Sequence, residues 1–178
     1  MQSQVIVPLD GSAYAEAILP HALFFALQSQ SLLTLLRVIV PPGKPEFGVP
    51  SIPDDWYEGE VSWTKHYLTS LTTRLQAQDV REQTQHVEGT CAGSAIHSYA
   101  EQRSDVQLIA LATHGRGPGG RLLLGSVAGD VFASAPISLL LLHLPKRRAE
   151  PIRAHYKRFL PNHRGPLDGI VSSERVLE

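Results

Sequence analysis

Four apolar runs of strand length, at 5–9, 32–40, 107–112 and 137–144, punctuate the chain at wide intervals. A run that is apolar at nearly every position has both faces covered, which is the mark of a parallel sheet between two layers of helices. These four strands are therefore expected in the centre of the sheet. A fifth candidate, 80–88, alternates and is polar, so it belongs at an edge. Helical spacing or composition marks 13–28, 56–78 and 92–103, and a short helix follows Gly125-Ser126. The order β-α-β-α-β-α-β-α-β predicts an α/β fold, a five-stranded parallel doubly wound sheet flanked by four helices. Such sheets bind ligands beyond the carboxyl ends of their strands, where strand order reverses. Asp10, Val38 and the segment 112–126 all fall at carboxyl ends and are expected to line one crevice.

Local signals refine this plan. Gly11-Ser12 breaks the first strand, and Ser12 is placed to cap the helix that starts at Ala13. Pro20 inside that helix predicts a kinked or loosened turn. Five prolines and two glycines between Pro41 and Asp54 make a loop long enough to be functional or mobile. From Trp56 to Gln78 the spacing predicts an inner stripe of Val61, Tyr67, Leu68, Leu71 and Leu75. Cys91 is the one cysteine, which rules out an internal disulfide and points to a reducing compartment. It is expected as a buried structural thiol. His86 and His143 lack metal-ligand spacing, so no protein metal site is expected.

Composition sets the outer limits. With 43% hydrophobic and 19% charged residues the chain is of ordinary globular type, and its longest apolar runs fall far short of a membrane span. The N-terminus enters a strand pattern with no basic and apolar leader, so a cytoplasmic location is expected. The net charge of −1 hides an asymmetry: from Pro145 onward there are eight Lys/Arg against four Asp/Glu. The body offers no basic face to match this tail, so nucleic acid is not the expected partner.

The stretch 108–126 carries the chemistry. An apolar strand ends in a glycine-rich loop with two arginines, and a helix then opens at Gly125-Ser126. Strand, glycine loop and helix start together hold phosphates well, because the first helical amides are unpaired and the helix dipole favours an anion. Arg116 and Arg121 can add charge-assisted contacts. His114 either meets a phosphate or is held by backbone. Gly115 to Gly120 formally fits G-x-G-x-x-G, but the next strand ends without the acid that a dinucleotide site requires, and the helix opens only at Gly125. The G-K-[ST] of a P-loop is also absent, since Gly120 is followed by Arg121-Leu122.

The spacing in this stretch resembles the universal stress protein family. Its signature is a glycine, two residues, a glycine, nine residues, then glycine and serine or threonine. Gly115, the nine residues to Leu124 and Gly125-Ser126 follow it, and the first glycine is replaced by Ala112. Val7 to Ser12, Thr113 to Gly117 and Leu122 to Ala128 are also similar to family segments, and the resemblance runs over about residues 3–145. It implies an adenine nucleotide alpha hydrolase-like fold, a homodimer formed through the last strand at 137–144, and binding of ATP, AMP or ADP. Asp10, with Pro8 and Leu9 ahead of it, and the backbone at Val38 would meet the adenine end. Ala112, His114, Gly115 and Arg116 would pass ribose and phosphate. Gly125, Ser126 and Val127 would hold phosphates, with Mg²⁺ arriving on the phosphates. A Cβ of Ala112 pointing into the ribose pocket would lower affinity, whereas a negative φ there would make the missing glycine cheap.

No nucleophile with its base is evident, so an enzyme is not expected, although slow ATP hydrolysis is conceivable. The expected protein is a nucleotide-binding stress or regulatory protein. Its rival is a nucleotide-free dimeric scaffold of the same fold. Residues 1–145 form the expected domain. In the tail, 146–178, Pro166-Leu167-Asp168-Gly169 repeats Pro8-Leu9-Asp10-Gly11, which reads as the truncated start of a second such domain.

Overall fold

The structure is a computed structural model that describes residues 2–41, 55–75, 80–114 and 125–144. The proline-rich segment 42–54, the glycine loop 115–124 with Gly115 and Arg116, and the tail 146–178 lie outside the described residues. Five strands, β1 (Gln4–Leu9), β2 (Leu32–Ile39), β3 (Glu82–Glu88), β4 (Val106–His114) and β5 (Ser138–Leu144), form one parallel sheet in the order β3-β2-β1-β4-β5. The chain builds outward from β1 to β3 and then returns to β4 on the other side of β1. Strand order therefore reverses between β1 and β4, and the crevice expected of this topology opens there.

The helices are α1 (Ala13–Glu16), α2 (Leu19–Gln28), α3 (Trp56–Leu75), α4 (Ala92–Glu101) and α5 (Ser126–Ser134). The first of the four expected helices thus comes in two pieces, α1 and α2. Pro20 has no N–H to donate to the Glu16 carbonyl, so the ladder breaks at Ala17-Ile18, and Pro20 falls in the first turn of α2. Ser12 caps α1 as its sequence position suggested, accepting from the Ala15 amide at 3.1 Å.

Two apolar cores flank the sheet. One joins Val5, Val7 and Leu9 of β1 and Leu33 and Leu35 of β2 to α2 and α3. The other joins Ile6, Leu36, Val38 and Ile109 to α4 and α5. The alternation along β1 and β2 divides the two, as a strand buried on both faces must. On α3 the fully buried stripe is Thr64, Leu68, Leu71 and Leu75, with Val61 and Tyr67 half-buried.

The amino end of the sheet carries a polar network across three strands. The Gln4 side chain, 8% exposed, donates to Asp105 Oδ2 at 2.6 Å. Its oxygen accepts from Thr34 Oγ1 at 3.0 Å and Gln83 Nε2 at 3.2 Å, and Gln83 also donates to Thr34 at 2.9 Å. Each buried polar group here has a partner, the condition for tolerating it inside the fold.

Two expectations are corrected. The strand at 137–144 is not central: β5 pairs only with β4 and forms an edge, and its residues are half-exposed or exposed. Leu140 and Leu142 pack on one core and Leu139 and Leu141 on the other, but no strand flanks its outer side among the described residues. The polar strand β3 occupies the opposite edge, where it was expected. Cys91 is not a buried structural thiol. It is exposed at the N-cap of α4, with Sγ 2.9 Å from the Ser94 hydroxyl. That contact, helped by the Ser94 amide, holds the thiol below its ordinary pKa.

Candidate functional site

A cavity of about 250 Å³ lies over the carboxyl ends of the strands at the reversal of strand order. Eight of the expected site residues line it: Pro8, Leu9, Asp10, Val38, Ala112, Gly125, Ser126 and Val127. Residues separated by more than a hundred positions thus share one crevice because parallel strands all deliver their carboxyl ends to the same side. His114 ends β4, and Gly115 and Arg116 follow it outside the described residues.

Each wall has a local cause. Asp10 follows β1, and its carboxylate accepts from the Ser12 amide at 2.9 Å and the Ser12 hydroxyl at 2.6 Å. These bonds close the turn before α1 and orient the carboxylate. Partial burial raises the Asp10 pKa, but the Ser12 bonds and the positive charge of Arg37 outweigh it and hold the group below the usual carboxylate value. Gly11 makes the turn possible. Its φ is +90°, and a Cβ there would stand 2.5 Å from the Trp63 ring of α3, so both the backbone and the close packing call for glycine.

The opposite wall is the start of α5. Gly125 is its N-cap and makes no side-chain cap, and the first amide bonded back within the helix is that of Gly129, to Gly125 at 2.7 Å. The amides of Ser126, Val127 and Ala128 have no acceptor within the helix, and these three residues line the crevice. They supply donors and the positive end of a helix dipole where an anion can sit. Ala112, between them, belongs to an extended strand paired with Leu142, and Gln30 holds the one positive φ among described residues other than glycine. Alanine at this position therefore carries no backbone strain, and it packs on the core shared with α2 and α3.

Several lining residues were not anticipated. Tyr14 of α1 reaches across to donate to the Thr113 carbonyl, with the Leu144 carbonyl 3.3 Å away, and so ties α1 to the ends of β4 and β5. Ala92 and Ile96 of α4 close the side opposite α1. Arg37 enters from β2, its guanidinium paired with Glu60 at 3.1 Å and lying 5.1 Å from the centre of the Trp63 ring. Its signal in the sequence was a lone charge in an otherwise apolar strand, one residue before Val38. No group of three or more His, Cys, Asp or Glu side chains that could hold a metal occurs among the described residues.

A carboxylate at one end, helix-start amides with no acceptor within α5 at the other and a strand-order reversal between them form the arrangement to which the sequence comparison adds a family. The universal stress protein family matches residues 1–143. The chain belongs to the universal stress protein family. Universal stress proteins of known structure share its fold. UspA from Lactobacillus plantarum superposes with a TM-score of 0.61 at 24% identity, covering 79% of this chain and 97% of that one. The Archaeoglobus fulgidus protein in complex with dAMP gives 0.52 at 15%, covering 79% and 97%. An Arabidopsis thaliana family protein with AMP bound gives 0.53 at 13%, covering 83% and 94%. No curated protein matches the chain at a significant level. No helix among the described residues is long and apolar enough to cross a membrane.

Proposed function

We propose that the crevice binds an adenine nucleotide, with ATP and its Mg²⁺ as the working ligand, and that this universal stress protein acts by binding, in a regulatory or stress-response role in the cytoplasm, and not as an enzyme. The observation that supports the reading is that Ser126, Val127 and Ala128, whose amides have no acceptor within α5, line one cavity together with Asp10. Phosphates would sit on those amides and the Ser126 hydroxyl, adenine would lie towards Asp10 and Val38 on the floor formed by Pro8 and Leu9, and the ribose would pass Ala112. His114, Gly115 and Arg116 follow Thr113 in the chain and would border the phosphates. Mg²⁺ would be held by phosphate oxygens. The relatives with dAMP and AMP support the ligand class.

Titration calorimetry with ATP and Mg²⁺, and separately with AMP, tests it. Saturable heat and a rise in Tm are expected. The absence of both at millimolar nucleotide removes the reading and leaves the nucleotide-free scaffold.

The same reading makes the protein a homodimer through β5. That edge is leucine-rich and half-exposed, and an unpaired strand edge is a template for another strand. Phe132 on the neighbouring α5 is 61% exposed. Sedimentation equilibrium is expected to give twice the 19.5 kDa chain mass, and Leu141→Lys is expected to give monomer. A wild-type monomer at all concentrations overturns the dimer.

A further inference from the structure

Arg37 is held more firmly than a surface arginine, by a carboxylate, a carbonyl and an aromatic ring. It rises from β2 into the crevice lining beside Val38. One guanidinium nitrogen meets Glu60 of α3 at 3.1 Å, another reaches towards the Leu9 carbonyl at 3.5 Å, and the group lies 5.1 Å from the centre of the Trp63 ring. Trp63 in turn stacks on Tyr67, with ring centres 5.2 Å apart and planes within 8°. Tyr67 donates to Glu16 at 3.2 Å, and Arg74 holds the other oxygen of Glu16 at 3.1 Å. One side of α3, from Glu60 to Arg74, is therefore fastened along α1 and the end of β2. A guanidinium fixed on both a carboxylate and a ring keeps its rotamer, and a fixed charge discriminates between ligands better than a mobile one. Its Nε is buried with no partner among the described residues.

Asp10 lines the same crevice and feels the charge of Arg37; its carboxylate only accepts hydrogen bonds, whereas the guanidinium only donates them. We propose that Arg37, clasped by Glu60 and Trp63, is a specificity-determining residue of the crevice, selecting with Asp10 a base edge that presents a hydrogen-bond donor next to an acceptor, as the amine and adjacent ring nitrogen of a 6-aminopurine do. The proposal rests on the nucleotide reading above and names what chooses the base. A 6-oxopurine presents the reverse order at the same two atoms. With the phosphates anchored at α5, such a base places its carbonyl against the carboxylate, and an acceptor facing an acceptor is penalised.

The test compares AMP, IMP and inorganic tripolyphosphate by calorimetry on the full chain, with wild type, Arg37→Met and Glu60→Gln. Methionine keeps the stem over Trp63 and removes the charge. Glu60→Gln removes the anchor without altering a crevice residue. The wild type is expected to prefer AMP over IMP by at least tenfold. Arg37→Met is expected to lose about tenfold in AMP affinity and most of that preference, while tripolyphosphate binds as before. Glu60→Gln is expected to lose part of the preference, and it decides the matter should Arg37→Met melt early. Variants with wild-type AMP affinity and a wild-type AMP to IMP ratio overturn this proposal alone. A wild type that binds neither AMP nor tripolyphosphate overturns the nucleotide reading and this one together.

Discussion

Val127→Asp is expected to weaken adenine-nucleotide binding by at least a hundredfold while leaving Tm close to wild type. Val127 lies in the first turn of α5 and lines the crevice. A carboxylate there suits the helix itself, since a negative charge near a helix start contributes about 0.3–1 kcal/mol. That gain offsets part of the apolar packing lost with the half-buried valine. The ligand meets the opposite effect. Two like charges about 4 Å apart near a protein surface repel by about 4 kcal/mol at an effective dielectric constant of 20. A hundredfold loss needs only about 2.8 kcal/mol. Calorimetry and thermal melting, run on the same sample, separate the two effects. Wild-type affinity in this variant would show that phosphates do not sit on α5.

Gly93→Val is expected to cost about 3 kcal/mol of stability through overpacking, and to weaken binding as well. Gly93 is buried in the first turn of α4, and a Cβ there would overlap Asp130 Cβ on α5. The two helices touch at this glycine, so the larger side chain has to push α5 away from α4. Moving α5 moves the amides of Ser126 to Ala128, and the crevice is also lined by Ala92 and Ile96 of α4. A domain of this size is expected to lose roughly 6–12 °C in Tm. Denaturant melts give the free energy and calorimetry gives the affinity. An unchanged Tm would show that α4 and α5 have room to spare.

The layout of the fold and most of the crevice could be read from residue order, because both depend on short-range patterns. Val5 to Leu9 is apolar throughout and ends in Asp10-Gly11-Ser12, a strand followed by a turn and a cap, and the structure has that arrangement. Parallel strands then bring Asp10, Val38 and Ser126 together with no further information. Burial was harder to read. Ser138 to Leu144 is as apolar as a central strand, and a run of leucines does not distinguish a neighbouring strand from an open edge. Cys91 directly precedes the helix expected at 92–103, yet whether such a position faces solvent depends on what packs over it. Arg37 and Trp63 were overlooked for a related reason. A charge in a strand and an aromatic on a helix each look ordinary alone, and their contact links β2 to α3 through tertiary packing that periodicity does not define. Thr64 in place of Val61 on the buried stripe of α3 is a shift of less than one turn, within what helical spacing leaves open.

The network of Gln4, Thr34, Gln83 and Asp105 gives the two ends of the sheet different freedoms. β3 is polar and has little apolar pattern to keep it aligned on β2, so a slip of one residue would cost it little in burial. It would cost it Gln83, which would then lose both Gln4 and Thr34. Alignment is thus secured by groups at the amino end, far from the crevice. The carboxyl end does not share that duty. Residues such as Arg37 and Ala112 can be exchanged there without disturbing how the strands find their partners, so the ligand a chain of this kind accepts can change while its architecture stays the same.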